Sequence, residues 1–195
     1  MKRSLSVLLA AAVAAAATLP AQAALKAGDT APDFTLQASF NGKATSYTLS
    51  EALKKGPVVV YFYPSAYTGG CNLQAHTFSE KRPEFDAAGA SIVGVSLDSI
   101  TRLNAFSADP DYCAGKLTVA SDADGKTAKA YDLKVQGGRP GMKDTRGMDI
   151  DHEFTERTTF IVGADRKVLA TIGGVSPVEN VGQALQFVQG LTKAK

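Results

Sequence analysis

Apolar positions in this chain fall into short β-branched runs separated by stretches where they recur at helical spacing. The longest run, Val58-Val59-Val60-Tyr61-Phe62-Tyr63, lacks polar alternation and reads as a central strand covered on both faces. Ser91–Leu97 reads as a second buried strand, and Leu117–Ala120 as a third, shorter one. Near the start, Phe34–Leu36 and Ser46–Leu49 flank Asn41-Gly42, the two-residue signature of a hairpin. Thr158–Val162 and Val168–Ile172 are strands joined by the turn Gly163–Arg166. Between them the pattern predicts a short capped helix over Ser50–Leu53 and a long helix over Cys71–Ala88 that Pro83 should break or kink. Further helices are expected over Thr101–Ser107, Lys126–Tyr131 and Val178–Leu191. This alternation implies an α/β sandwich with a locally antiparallel edge. Residues 134–154, with Gly137, Gly138, Pro140 and Gly141, form the longest irregular stretch, either a surface excursion or a lid.

Length and composition narrow the class. A chain of 195 residues, 45% hydrophobic and 21% charged, allows one ordinary globular domain and excludes collagen-like, disordered and multi-span membrane proteins. Residues 1–23 read as a secretory signal peptide. Lys2 and Arg3 precede the uncharged run Leu5–Leu19, and Pro20 then leads into the small-x-small pattern Ala21-Gln22-Ala23. The run is too short for a membrane anchor, which needs about 20 apolar residues, and no cysteine near the cleavage site invites lipidation. The expected domain is therefore 24–195, in an oxidising compartment: periplasmic or secreted. Without the leader's two cations the formal charge of +2 falls to zero, which leaves no long-range field for nucleic acid or anionic lipid.

The candidate chemistry rests on sulfur. There are two cysteines, Cys71 and Cys113, too few for a disulfide framework. Cys71 follows the central strand by one loop and falls in the first turn of a helix, where free N–H groups and the helix dipole favour a thiolate. The bland reading of the same residue is a small buried hydrophobe. A Cys-x-x-Cys dithiol is excluded because position 74 is Gln. A copper-binding module is disfavoured. His76 stands about 140° around the helix from Cys71, and His152, among Asp149, Asp151 and Glu153, reads as a solvated loop residue.

Pro64-Ser65-Ala66-Tyr67-Thr68-Gly69-Gly70-Cys71 resembles the Pro-x-x-x-Thr-x-x-Cys signature of the peroxiredoxins. The resemblance spans nearly the whole of 24–195. It opens at Gly28-Asp29-Thr30-Ala31-Pro32-Asp33-Phe34, continues through Gly94-Val95-Ser96-Leu97-Asp98 and Ser121-Asp122-x-x-Gly125, and ends at Arg157-Thr158-Thr159-Phe160-Ile161-Val162. Cys71-Asn72-Leu73-Gln74-Ala75 looks most like the bacterioferritin-comigratory, or Q-type, branch. What the resemblance implies is a thioredoxin-like fold, with a central mixed sheet flanked by helices and an N-terminal hairpin extension. It implies a peroxidase of hydrogen peroxide and small organic hydroperoxides that needs no cofactor, is reduced by a protein dithiol, and is a monomer or weak dimer.

By the same resemblance Cys71 is the peroxidatic cysteine and becomes a sulfenic acid. Arg157 steadies the thiolate and the departing oxygen, Thr68 orients the peroxide, and Pro64 shields the sulfur; Gln74 supports the loop. Bland rivals exist: Arg157 as a surface residue paired with Glu156 or Glu153, and Thr68 as a mere helix cap. The branch often carries a resolving cysteine five residues after the first, but that position is His76. Cys113 is then the favoured resolving cysteine, reached by local unwinding eased by Gly69 and Gly70. The alternatives are reduction of Cys71 by an external thiol and a permanent Cys71–Cys113 bridge.

Overall fold

The computed structural model describes residues 23–138 and 140–193, so the leader read over 1–23 lies, Ala23 apart, outside the described residues. In chain order the elements are β1 (Thr35–Phe40), β2 (Lys43–Thr48), α1 (Leu49–Leu53), β3 (Val58–Phe62), α2 (Gly69–Ala87), β4 (Ser91–Ser96), α3 (Ile100–Ala108) and β5 (Thr118–Ser121). They continue with α4 (Lys126–Ala130), β6 (Val135–Gln136), β7 (Phe154–Thr155), β8 (Thr158–Val162), β9 (Val168–Gly173) and α5 (Pro177–Lys193). Seven strands form one mixed sheet in the order β2-β1-β5-β4-β3-β8-β9, and β6 pairs with β7 apart from it. β3, β4 and β5 run parallel; β8 and β9 continue antiparallel on one side, and the β1–β2 hairpin on the other.

β3 divides the core. Val59, Tyr61 and Tyr63 point into one apolar cluster with Phe78 and Phe85 of α2, Phe106 of α3, and Val181 and Val188 of α5. Val58, Val60 and Phe62 point into the other, with Leu49 and Leu53 of α1, Tyr131 and Phe160. The period-2 geometry of a strand sends successive side chains to opposite faces, and because helices cover both, all five residues of β3 are buried.

Two local expectations fail for identifiable reasons. α2 continues through Pro83 without a break. Pro83 lies on the exposed side of the helix, and buried Phe78 and Phe85 on either side hold the helix to the sheet. The helix over Ser50–Leu53 starts at Leu49, and its N-cap position, Thr48, makes no side-chain cap bond. The Asp33 carboxylate, 17 residues upstream, accepts the Ser50 N–H instead. The hairpin is as the Asn-Gly pair demands, with φ of 49° at Asn41 and 75° at Gly42.

One close approach fixes the sheet beneath the candidate site. Tyr61 pairs in register with Gly94, and its ring lies over that glycine, stacked with Phe78 at 4.5 Å and Tyr63 at 5.4 Å. A Cβ on residue 94 would fall 2.5 Å from the Tyr61 Cζ and 2.6 Å from its Oη. Gly94→Ala should therefore destabilise the protein by about 1–3 kcal/mol through overpacking, lowering Tm in a circular-dichroism melt. An unchanged Tm would show that the ring has room to move.

Candidate active site

The loop after β3 carries Cys71 to the first turn of α2. Its sulfur belongs to a residue only 2% exposed. The Thr68 carbonyl starts the helix by accepting the N–H groups of Cys71 at 2.9 Å and Asn72 at 2.8 Å. Thr68 holds the extended N-cap position, yet its side chain makes no cap bond, which removes the capping explanation for that residue. Its hydroxyl instead donates to the Ser65 carbonyl at 2.8 Å. A hydroxyl has one proton and two acceptor sites, so what Thr68 can offer a molecule docking at Cys71 is a lone pair. Pro64, at the other end of the loop, is half-buried.

Arg157, in the residue before β8, reaches across to this turn. Its Nη2 donates to the Cys71 Sγ at 3.3 Å, and its Nη1 donates to the Gln74 Oε1. The reading of Arg157 as a surface partner of Glu156 or Glu153 fails: Glu156 accepts the Lys134 N–H instead. Gly70 makes room for the guanidinium, since a Cβ there would lie 3.2 Å from Nη2 and 3.4 Å from Pro177.

The middle of the loop is held by a buried carboxylate. Asp98, just after β4, accepts the Ala66 N–H at 2.8 Å and the Ser65 hydroxyl at 3.0 Å, and also bonds Ser96. Arg102 of α3 donates to the Ala66 carbonyl and pairs with Asp144, each at 2.8–2.9 Å. From the outer side, the excursion 134–154 closes on Tyr67, which sits at φ 60°. The Tyr67 carbonyl accepts both the N–H and the hydroxyl of Thr145 at 2.9 Å, and the Arg146 guanidinium lies 3.2 Å from the centre of its ring.

His152 departs from its expected place as a solvated loop residue. Its Nε2 meets the Asp98 Oδ1 at 2.8 Å and its Nδ1 meets the Glu153 carbonyl at 2.7 Å. A carboxylate and a carbonyl can only accept, so both ring nitrogens must donate and the ring is held as an imidazolium. Burial pulls its pKa down, but the hydrogen bond and charge of Asp98 and the Glu153 carbonyl raise it overall. Asp98 moves the other way: burial works to raise its carboxyl, and the bonds from His152, Ala66 and Ser96 more than offset this. The acidic neighbours in sequence suggested solvent; the contact that matters lies 54 residues away. His76, by contrast, stays on the exposed side of α2, at the Asp111 carbonyl and Glu80.

Cys113 lies in the turn between α3 and β5, fully buried, and both thiols are free. Burial, with Asp109 nearby, pushes the Cys113 thiol well up. Both cysteines line the apolar cluster that holds Tyr61, and the Tyr61 phenol feels both of them. Tyr112 packs edge-on against Tyr67, at 5.8 Å and 82°. Sequence reasoning missed the hub of Asp98, His152, Arg102 and Thr145, whose members become neighbours only through the fold.

Comparison with known proteins adds a family context. The family model described as AhpC/TSA family matches residues 27–171. The chain is 33% identical over 144 residues to peroxiredoxin Bcp of Escherichia coli, covering 74% of this chain and 83% of the relative. Among solved structures, peroxidoxin BcpB from Mycobacterium tuberculosis superposes with a TM-score of 0.70 at 32% identity, over 85% of this chain and 97% of that one. Peroxiredoxin Q of Xanthomonas campestris gives a TM-score of 0.64 at 28% identity, over 80% and 90% of the two chains. The expected thioredoxin-like fold is thus the observed one.

The His152–Asp98 pair carries a pH signature. A raised histidine adds stability that is complete below its ordinary pKa of about 6.5 and is lost as pH rises through the higher folded value. The depressed Asp98 adds stability present above about 3.9 and lost as pH falls through its lower folded value. Urea unfolding should therefore show stability declining as pH rises above about 6.5. His152→Gln should flatten that decline; an undiminished decline would assign it to another group.

Proposed function

Because the chain belongs to the AhpC/TSA family, as a Q-type peroxiredoxin, and is a thiol-dependent peroxidase acting on peroxide with a thioredoxin-like reductant, we propose that Cys71 is the sulfur that meets the peroxide. The observation that carries this is the Arg157 guanidinium, 3.3 Å from the Cys71 Sγ at the start of α2. The thiolate attacks one peroxide oxygen and a sulfur–oxygen bond forms as the O–O bond breaks. The departing oxygen takes a proton and leaves as water or an alcohol, and Cys71 becomes a sulfenic acid. Charge that builds on the departing oxygen does so beside a fixed cation held by Gln74, in a site withdrawn from water. Thr68, its proton spent on Ser65, accepts the peroxide O–H and orients it. Pro64 closes the loop's outer edge and shields the sulfenic acid.

Resolution follows through Cys113. Its sulfur attacks the Cys71 sulfenic sulfur, water leaves, and an intramolecular disulfide forms, which a protein dithiol then reduces. Sulfurs must come to about 2.05 Å, so the first turn of α2 unwinds at Gly69 and Gly70, both exposed, and Cys113 leaves its buried turn. A second reading, reduction of Cys71 by an external thiol, draws on the burial that holds Cys113 as a neutral thiol. The leader 1–23 supports export to the periplasm or beyond, where the reductant is a dithiol protein of that compartment. Small hydroperoxides are the substrates, and the protein works as a monomer or weak dimer.

Intact and tryptic mass spectrometry after about one equivalent of hydrogen peroxide tests the cycle. Loss of two hydrogens mapped to a Cys71–Cys113 link, reversed by a dithiol, is expected. Oxygen on Cys71 with Cys113 untouched would select the external thiol, and no change at Cys71 would remove it from the role. In the same assay Arg157→Ala should slow oxidation of Cys71 about 100–1,000-fold, as loss of a preorganised charge-stabilising donor does. A rate within a few-fold of wild type would take the guanidinium out of the chemistry.

A further inference from the structure

Arg157 is aimed by Gln74, and Gln74 is itself held from behind. Its side chain is fully buried in α2, and its Nε2 donates to the Oδ1 of Asn180, in the first turn of α5, at 2.9 Å. Asn180 is also fully buried. Its Nδ2 donates to the Ile172 carbonyl of β9 at 3.0 Å, and its Oδ1 takes a second bond, from the Thr159 hydroxyl of β8 at 2.6 Å. The directions follow from chemistry. A backbone carbonyl only accepts, so Asn180 must turn its NH2 to Ile172 and its oxygen to Gln74. Gln74 must then present its NH2 to Asn180 and its oxygen to Arg157, which only donates.

From this chain of bonds we propose that Asn180 is a positioning residue for the peroxide reaction, acting on Cys71 through Gln74 and Arg157. Asn180 touches neither the sulfur nor the guanidinium. It supplies the partner that keeps a buried amide in place. Without it the Gln74 NH2 is buried and unpaired, a state costly enough that the side chain swings away to find a partner. The Gln74 oxygen then leaves Arg157, and the guanidinium is no longer fixed against the sulfur. Thr159 and the Ile172 carbonyl tie the arrangement to β8 and β9, so α5, remote in sequence from the Cys71 loop, becomes part of its support. The inference rests on Cys71 as the reacting thiol.

A double-mutant cycle tests it. A Glu at position 74 presents an acceptor oxygen to Arg157 whichever way it turns, and has no NH2 for Asn180 to hold. Asn180→Ala should slow oxidation of Cys71 by hydrogen peroxide about tenfold in the wild-type background, within the range measured for coupled neighbours. In the Gln74→Glu background, where a carboxylate oxygen opposes the Asn180 Oδ1 and nothing at position 74 donates to it, the same substitution should not slow the rate. Equal slowing in both backgrounds would make Asn180 a general prop of α5, and no slowing in either would remove it from the site; each overturns the proposal. A wild-type protein whose Cys71 is not oxidised would instead overturn the peroxidase assignment of Cys71. If Asn180→Ala does not fold by circular dichroism, Asn180→Leu, close in volume, replaces it in the same cycle. Should that too fail to fold in wild type, the role is structural and the proposal is overturned.

Discussion

A guanidinium held against a sulfur that water barely reaches is the constraint that organises this molecule. A cation partly withdrawn from water needs partners fixed in direction, and Arg157 finds them in the Gln74 oxygen and the Cys71 sulfur. Two separate pieces of chain must meet for that: the residue before β8, and the first turn of α2, whose glycine at position 70 leaves space for the head group. The order of strands serves it. With β8 directly beside β3, Arg157 enters at the same end of the sheet from which the Cys71 loop leaves.

The loop has a different support from the sulfur. Asp98, Arg102 and the Thr145–Arg146 turn hold Ser65, Ala66 and Tyr67, and none of them bonds the Gly69–Gly70 pair. Tyr67 at φ 60° is an uncommon conformation for a bulky side chain, of the kind that costs about 1–3 kcal/mol and persists only where its surroundings impose it. Here two hydrogen bonds to its carbonyl and a cation over its ring do so. The supports of the loop thus concentrate on the near side of Thr68, with Thr145 alone of them also reaching Asn72, at 3.4 Å. Downstream lie exposed glycines; upstream lies a buried ionic hub.

The parts of this arrangement visible in the sequence were those encoded locally. Val58–Tyr63 declares a buried strand by its own composition, and Asn41-Gly42 declares its turn by the φ values it needs. Pro64, Thr68 and Arg157 stand out only through the resemblance to the peroxiredoxin pattern; read alone, Arg157 is a surface side chain and Thr68 a helix cap. What escaped depends on distance. His152 looked solvated because its sequence neighbours are acidic, whereas its partner Asp98 reaches it only after the excursion folds back. Asp33 caps α1 from another segment, so Ser50 looked like the cap. Pro83 breaks no helix because the apolar contacts of Phe78 and Phe85 outweigh one missing bond. Asn180 sits in a helix whose pattern announces packing, and nothing local distinguishes an amide that props another amide from one that faces water.

Cys71 and Cys113 line one apolar cluster with both thiols free, so a bond between them requires the two sulfurs to come closer. Its thiol is buried among aromatic side chains, and a thiol so placed is kept neutral and unreactive. The turn that holds it is not at ease, however. Ala114 and Gly115, the two residues after it, both sit at positive φ, 51° and 66°, and for alanine that conformation costs about 1–2 kcal/mol. Tyr112, just before it, leans on Tyr67 of the clamped loop. A turn with local strain on one side and an aromatic contact with the Cys71 loop on the other is kept in place by its surroundings, not by its own backbone preference.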